Sequence, residues 1–182
     1  LLSKDTLLEG QSNAIYAQRE EELTWITNAF YHDYADVRLD TANAILRAND
    51  KLSVDQAVFY AQIILDRLIF MMFLEDLGLI PRETIEGAYK TRNPYSPTAI
   101  WSNFQGLFRA MDKGSTALHI PAYAGGLFSF DERVDTLPLE DELFERYKTL
   151  ADYDFLSDLR VNILGHVFER SITDTDILKA HL

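Results

Sequence analysis

The stretch SVDQAVFYAQIILDRLIFMMFLEDLG, residues 53–78, decides the fold. Ser53 followed three residues later by Gln56 makes a capping box: the hydroxyl accepts a backbone N–H one turn on, and the amide reaches back. Ala57, Tyr60, Ile64, Leu68, Met71 and Leu74 then recur at steps of three and four, the period of one helical face. Gly78 is placed as a C′ glycine, and Pro81 bars continuation. Every residue from Leu68 to Leu74 is apolar, so the helix has no polar face there and belongs at the centre of a bundle. That run is flanked by Asp66, Arg67, Glu75 and Asp76 and is too short to span a bilayer, so no membrane segment is expected.

Outward from this helix the same period continues. Leu23, Ile26, Phe30, Tyr34, Val37 and Ile45 form one stripe between residues 20 and 49, on one long helix or two placed end to end, after a poorly defined lead-in over residues 1–19. Downstream, Ser96-Pro97 supplies an N-cap and a first-turn proline, and Ile100, Trp101, Phe104, Leu107, Phe108 and Met111 run to Gly114. Residues 115–138 hold Gly125-Gly126 and two prolines and read as a long ordered loop, in which only residues 127–130 have the pattern of a short strand. Gly125-Gly126 itself reads as a turn needing positive φ rather than a phosphate cradle. Two closing helices carry Leu139, Leu143, Tyr147 and Leu150, then Leu156, Leu159, Ile163 and Val167. The expectation is an all-α protein: one domain over residues 1–182, an irregular bundle of about five to seven helices.

The 182 residues hold 29 acidic and 17 basic side chains, a formal charge of −12, which argues against gripping nucleic acid with the whole surface. Only residues 82–114 are net positive, at +2, through Arg82, Lys90, Arg92, Arg109 and Lys113. A solvated face is the ordinary reading of such a segment, and contact with the DNA backbone is the functional one. There is no cysteine, which removes disulfides and thiolate metal sites and fits a reducing cytoplasm.

No two glycines are separated by a single residue, so the G-x-G core of dinucleotide and many S-adenosylmethionine loops is missing, as is a Walker A sequence. No Asp or Glu stands two positions before a Lys, which removes half of a common nuclease metal site. His32, His119, His166 and His181 are too dispersed to offer a two-histidine metal face. Asn93-Pro94-Tyr95 is similar to the N-P-P-Y loop that clamps a flipped adenine, but the second proline is absent, and the segment reads as a turn into the next helix. Asp66, Arg67 and Glu75 could suggest a carboxylate site. Because Asp66 and Arg67 point about 100° apart on a helix, they read instead as ion-pair residues whose partners lie on other elements.

Three stretches carry a resemblance. ILDRLIFMMFLEDLGLIP at 64–81 resembles the LLDRLLFLRFLEDRGLLP helix of large bacterial restriction-modification polypeptides. IPAYAGGLF at 120–128 is similar to their YNGGLF loop, with Ala124 where they often have Asn, and YDFL at 153–156 with ILGHVFER at 163–170 resembles their ILGHIFEQS helix. The likeness covers about residues 20–172. In these type IIG (type IIL) enzymes the segment joins an N-terminal nuclease to an N6-adenine methyltransferase. The resemblance therefore implies a non-catalytic helical connector, with those flanking modules as partners, in a bacterial cytoplasm. It places no catalytic, cofactor or metal residue here, and assigns S-adenosylmethionine and Mg2+ to the parent enzyme. The opening Leu1 in place of an initiator Met reads as a segment of a longer chain. A standalone helical docking module is the competing expectation.

Overall fold

The computed structural model describes residues 4–91, 93–155 and 161–182, with side chains from residue 15 onward except at 161–164, 166 and 172. Among these residues the chain is all-α and has no strand. Eight helices follow in order: α1 (Lys4–Ala48), α2 (Val54–Asp76), α3 (Thr84–Lys90), α4 (Ala99–Lys113), α5 (Glu132–Asp135), α6 (Asp141–Ala151), α7 (Val161–Thr173) and α8 (Thr175–Lys179). The count exceeds seven because α5 and α8 are helices of 4 and 5 residues.

The capping box forms as its spacing requires: Gln56 N–H donates to Ser53 Oγ at 3.2 Å, and Ser53 N–H to Gln56 Oε1 at 2.9 Å. At the other end of α2, Gly78 takes φ 68°, and the bonds Gly78 N–H to Glu75 O and Leu79 N–H to Leu74 O close a Schellman motif. Between these caps Ile64, Leu65, Leu68, Ile69 and Met71 are wholly buried. Although α2 is long and apolar enough by composition to cross a membrane, it lies inside this bundle with α1, α3, α5 and α8 packed on it.

The first stripe is one helix: α1 takes in the lead-in and runs for 45 residues without a break. Its second half buries Phe30, Tyr34, Val37 and Ile45 against α2 and α6, whereas Ile15, Tyr16 and Trp25 stand exposed on the first half. At α4 the start differs from the expected cap. The N-cap is Thr98, not Ser96, and its side chain makes no capping bond. Asp141 of α6 does that work from outside, accepting Ile100 N–H at 2.8 Å, while Pro97 O accepts Asp141 N–H. A cross-helix carboxylate satisfies the free N–H groups of α4, so its first turn is fixed by tertiary packing.

Trp101 and Phe104 of α4 stack on Phe144 of α6, with ring centroids 5.6 and 5.4 Å apart, and Trp101 Nε1–H donates to Leu137 O. Residues 115–138 form the expected ordered loop, interrupted by α5 and pinned by a single antiparallel bridge, Ser115–Ile120. The 127–130 stretch is a turn and not a strand, since the positive φ of Gly125 (139°) and Gly126 (81°) breaks extension just before it. Leu156 and Leu159 of the last expected stripe lie outside the described residues, and Val167 is buried as its place on that stripe requires.

Candidate functional site

Among the described residues Arg67 is the best-buried charge, at 1% exposure, and its guanidinium draws the 125–135 loop onto α2. Nε–H donates to Leu127 O at 2.8 Å, an Nη2–H to Ser129 O at 2.8 Å, and an Nη1–H to Asp135 Oδ1 at 2.7 Å. The other Asp135 oxygen accepts Asp131 N–H, and the cation lies over the Phe108 ring at 5.2 Å. Arginine suits this place because its planar fork reaches two carbonyls and a carboxylate while remaining charged. The expected ion pair is therefore present, with Asp135 of α5 as the partner that sequence reading did not name.

Asp66 and Glu75 were expected in ion pairs too, and the structure gives each another task. Asp66 faces away from Arg67 and accepts from Gln62 Nε2, which also donates to Tyr34 Oη. Burial pushes its carboxyl up to about 6, against the Gln62 bond and the more distant Arg38 charge, which both lower it. Glu75 accepts Thr84 N–H at 2.7 Å and so caps α3, whose own N-cap, Glu83, has left-handed backbone and no capping side chain. Burial raises the Glu75 carboxyl as well, opposed by its backbone hydrogen bonds. Asp76, next along, accepts Phe155 N–H at 2.9 Å. Among the described residues neither Asp66 nor Glu75 is in an ion pair, because α2 turns each toward polar groups and not toward a cation.

A second buried cation, Arg38 of α1, holds the C-terminal helices. It donates to Ser171 O at 2.6 Å and to Thr175 Oγ1 at 3.2 Å, while Tyr31 Oη donates to Asp174 and Arg170 lies 3.9 Å from the Tyr31 ring centroid. Lys179 of α8 closes the set on Asp55 of α2. Arg38 Nε and Gln62 Oε1 are buried here without a partner.

Four of the five basic residues of the 82–114 segment lie among the described residues. Arg82 and Lys90 line a cleft of about 890 Å³ between α3 and the end of α6, and Lys90 is paired with Glu86. Arg109 and Lys113 lie on the last turns of α4, where Lys113 is paired with Asp112 and Arg109 bonds its own helix at Gln105 O. Arg92 lies outside the described residues. Asn93-Pro94-Tyr95 is a turn, with Asn93 accepting from Tyr95 N–H and Ser96 N–H and the Tyr95 ring 94% exposed.

Among the described residues no group of three His, Asp or Glu side chains is placed to hold a metal ion. What the motif residues do chemically is fix backbone: Arg67 holds two carbonyls, and Glu75 and Asp76 hold backbone N–H groups. Comparison with protein-family models, curated proteins and solved structures returned no match.

Proposed function

We propose that this chain is a non-catalytic helical scaffold linking the nuclease and adenine-specific methyltransferase modules of a restriction-modification enzyme, holding them at a set separation on DNA. One observation carries the reading: two of the four charged residues of the restriction-type helix, Arg67 and Asp76, are spent on the other resembling segments. Arg67 grips the loop after Gly125-Gly126, and Asp76 grips Phe155 of the YDFL stretch. Residues that must hold three chain segments in register have no capacity left for substrate, which is how a scaffold differs from an active site. On this reading S-adenosylmethionine and Mg2+ are bound outside this segment, in keeping with a sequence that has no G-x-G loop. Both belong to the flanking modules. Arg82, Lys90, Arg92, Arg109 and Lys113 supply what backbone contact this segment makes with DNA, and the setting is the bacterial cytoplasm.

Calorimetric titration of S-adenosylmethionine into this chain, and into a restriction-modification polypeptide that contains it, tests the reading. Binding by the whole polypeptide and none by this chain is expected. Binding by this chain overturns the scaffold. Absence of binding by both favours a standalone docking module, the reading that the exposed Ile15, Tyr16 and Trp25 of α1 support.

A further inference from the structure

Gln62 of α2 stands between two oxygen groups at the place where α1, α2 and α7 meet. Its Nε2 lies 2.5 Å from Asp66 Oδ1 and 2.6 Å from Tyr34 Oη, while its Oε1 is buried without a partner. An amide N–H meets a carboxylate at about 2.7–2.9 Å and a neutral oxygen at about 2.9–3.0 Å, whereas O–H···O bonds run from about 2.5 to 3.0 Å. Both spacings are those of an oxygen held between two hydroxyls. A half-turn of the amide supplies that oxygen, since the two ends of a glutamine have the same shape and opposite hydrogen-bonding character. In either orientation one end of the amide fills the same sealed place, so the protons on Asp66 and Tyr34 select between them.

Both neighbours can carry such a proton. Tyr34 is 1% exposed, and burial raises its phenol well above the ordinary value, so it remains a hydroxyl. Burial lifts the Asp66 carboxyl to about 6, with the Gln62 bond and the Arg38 charge opposing. Among the described residues, Tyr34 and Arg38 of α1 and Gln62 of its own helix are the groups that face this carboxyl. Charged and capping groups of the other helices around it are engaged elsewhere: Asp135 of α5 with Arg67, Lys179 of α8 with Asp55, Thr84 N–H of α3 with Glu75, and Arg170 of α7 over the Tyr31 ring. On the far side of Tyr34, Ser171 of α7 is wholly buried and within hydrogen-bonding reach of the phenol. Its hydroxyl donates to Phe168 O at 2.7 Å, which leaves Oγ lone pairs to accept.

We propose that the Gln62 amide is a proton-operated switch that links α2 to α7. With Asp66 protonated, Oε1 faces the pair and accepts from the Asp66 carboxyl and from the Tyr34 hydroxyl. With Asp66 ionised, the amide is turned, Nε2 donates to both oxygens, and the Tyr34 hydrogen is directed to Ser171 Oγ. Asp66 exchanges one proton with solvent, and none is transferred along the chain of groups. The tie from α1 to α7 through Tyr34 and Ser171 is therefore made only in the ionised state. The proposal does not depend on the restriction-modification reading.

The test is an NMR titration of the isotope-labelled full chain between about pH 4 and 8, following the Asp66 carboxyl carbon, the Gln62 side-chain amide and the Ser171 backbone amide. All three are expected to move together with a midpoint near 6. The carboxyl carbon separates Asp66 from histidines that titrate in the same range. In Asp66→Asn, the Gln62 and Ser171 signals are expected to stop responding there. In Tyr34→Phe, Asp66 and Gln62 are expected to keep titrating together while Ser171 no longer follows, a separation that simple electrostatic influence of Asp66 on α7 does not produce. An Asp66 carboxyl that titrates at the ordinary aspartate value, a Gln62 amide that does not follow it, or a Ser171 signal that still follows it in Tyr34→Phe overturns the proposal. The unmodified chain alone decides the amide step, and circular dichroism verifies that both variants are folded.

Discussion

Replacing Asp135 by Ala tests whether Arg67 is the joint of the fold. The two side chains are 2% and 8% exposed and meet at 2.7 Å, so removing the carboxylate leaves a guanidinium charge in the interior and frees Asp131 N–H from its acceptor. Breaking one partner of a buried pair costs about 3–5 kcal/mol, since the remaining charge is stranded without water. At 2–4 °C per kcal/mol for a chain of this size, the melting midpoint falls by roughly 6–20 °C. Arg67→Met also destabilises, leaving Leu127 O, Ser129 O and Asp135 without their donor. The double variant Arg67→Met/Asp135→Ala is the informative one. With the stranded charge gone and the methionine filling the space, its loss should be smaller than the sum of the single losses by about 1–3 kcal/mol. Urea unfolding followed by helical circular dichroism gives all three values, provided the slope with denaturant is unchanged. A loss under about 1 kcal/mol for Asp135→Ala, or strict additivity in the double variant, would refute the reasoning.

Three further outcomes follow from burial. Asp66 titrates near 6 in the folded chain against 3.8 for a free aspartate, so the folded state holds the proton longer and stability falls as pH rises through that window. Asp66→Asn should therefore be more stable than the parent at pH 7 by up to about 3 kcal/mol and match it near pH 4, with a shallower slope remaining from Glu75; parallel pH profiles would sink this. Leu68→Ala and Leu74→Ala, at 0% and 3% exposure, should each cost about 2–5 kcal/mol in the same urea assay, and unchanged midpoints for both would place this run on the surface. Tyr89→Phe deletes a buried hydroxyl that has no partner and should raise the midpoint, with a gain of about 1 kcal/mol; a clear loss would mean the hydroxyl is bonded in solution.

The helices were legible because each signal is local. Ser53 and Gln56 are three residues apart, Gly78 follows directly on its helix, and the α4 stripe needs only the residues between Ile100 and Met111. What could not be read depends on contacts across the chain. The cap of α4 comes from Asp141, 41 positions away from the Ile100 N–H it accepts, so Ser96 looked the better candidate. Arg67 could be recognised as paired, since a cation amid apolar residues needs an anion, but Asp135 lies 68 residues on and is one acid among many. Arg38 left a subtler trace. It lies next to Val37, between Tyr34 and Thr41, on the buried stripe of α1. A cation there signals a partner across the bundle, which the structure supplies in Ser171 and Thr175.

The Glu75-Asp76 pair shows how one helix end fixes two neighbours and thereby sets the shape of the cleft. Successive residues on a helix diverge by about 100°, so two adjacent carboxylates face different donors. Glu75 turns to the start of α3 and Asp76 to Phe155, the two sides that face each other across the cleft. Their separation is then a property of the last turn of α2, which the Schellman bonds at Gly78 hold rigid. Both carboxylates keep their charge while they accept backbone N–H groups, and Glu83, Glu86, Asp152 and Asp154 add further acidic side chains along the same walls.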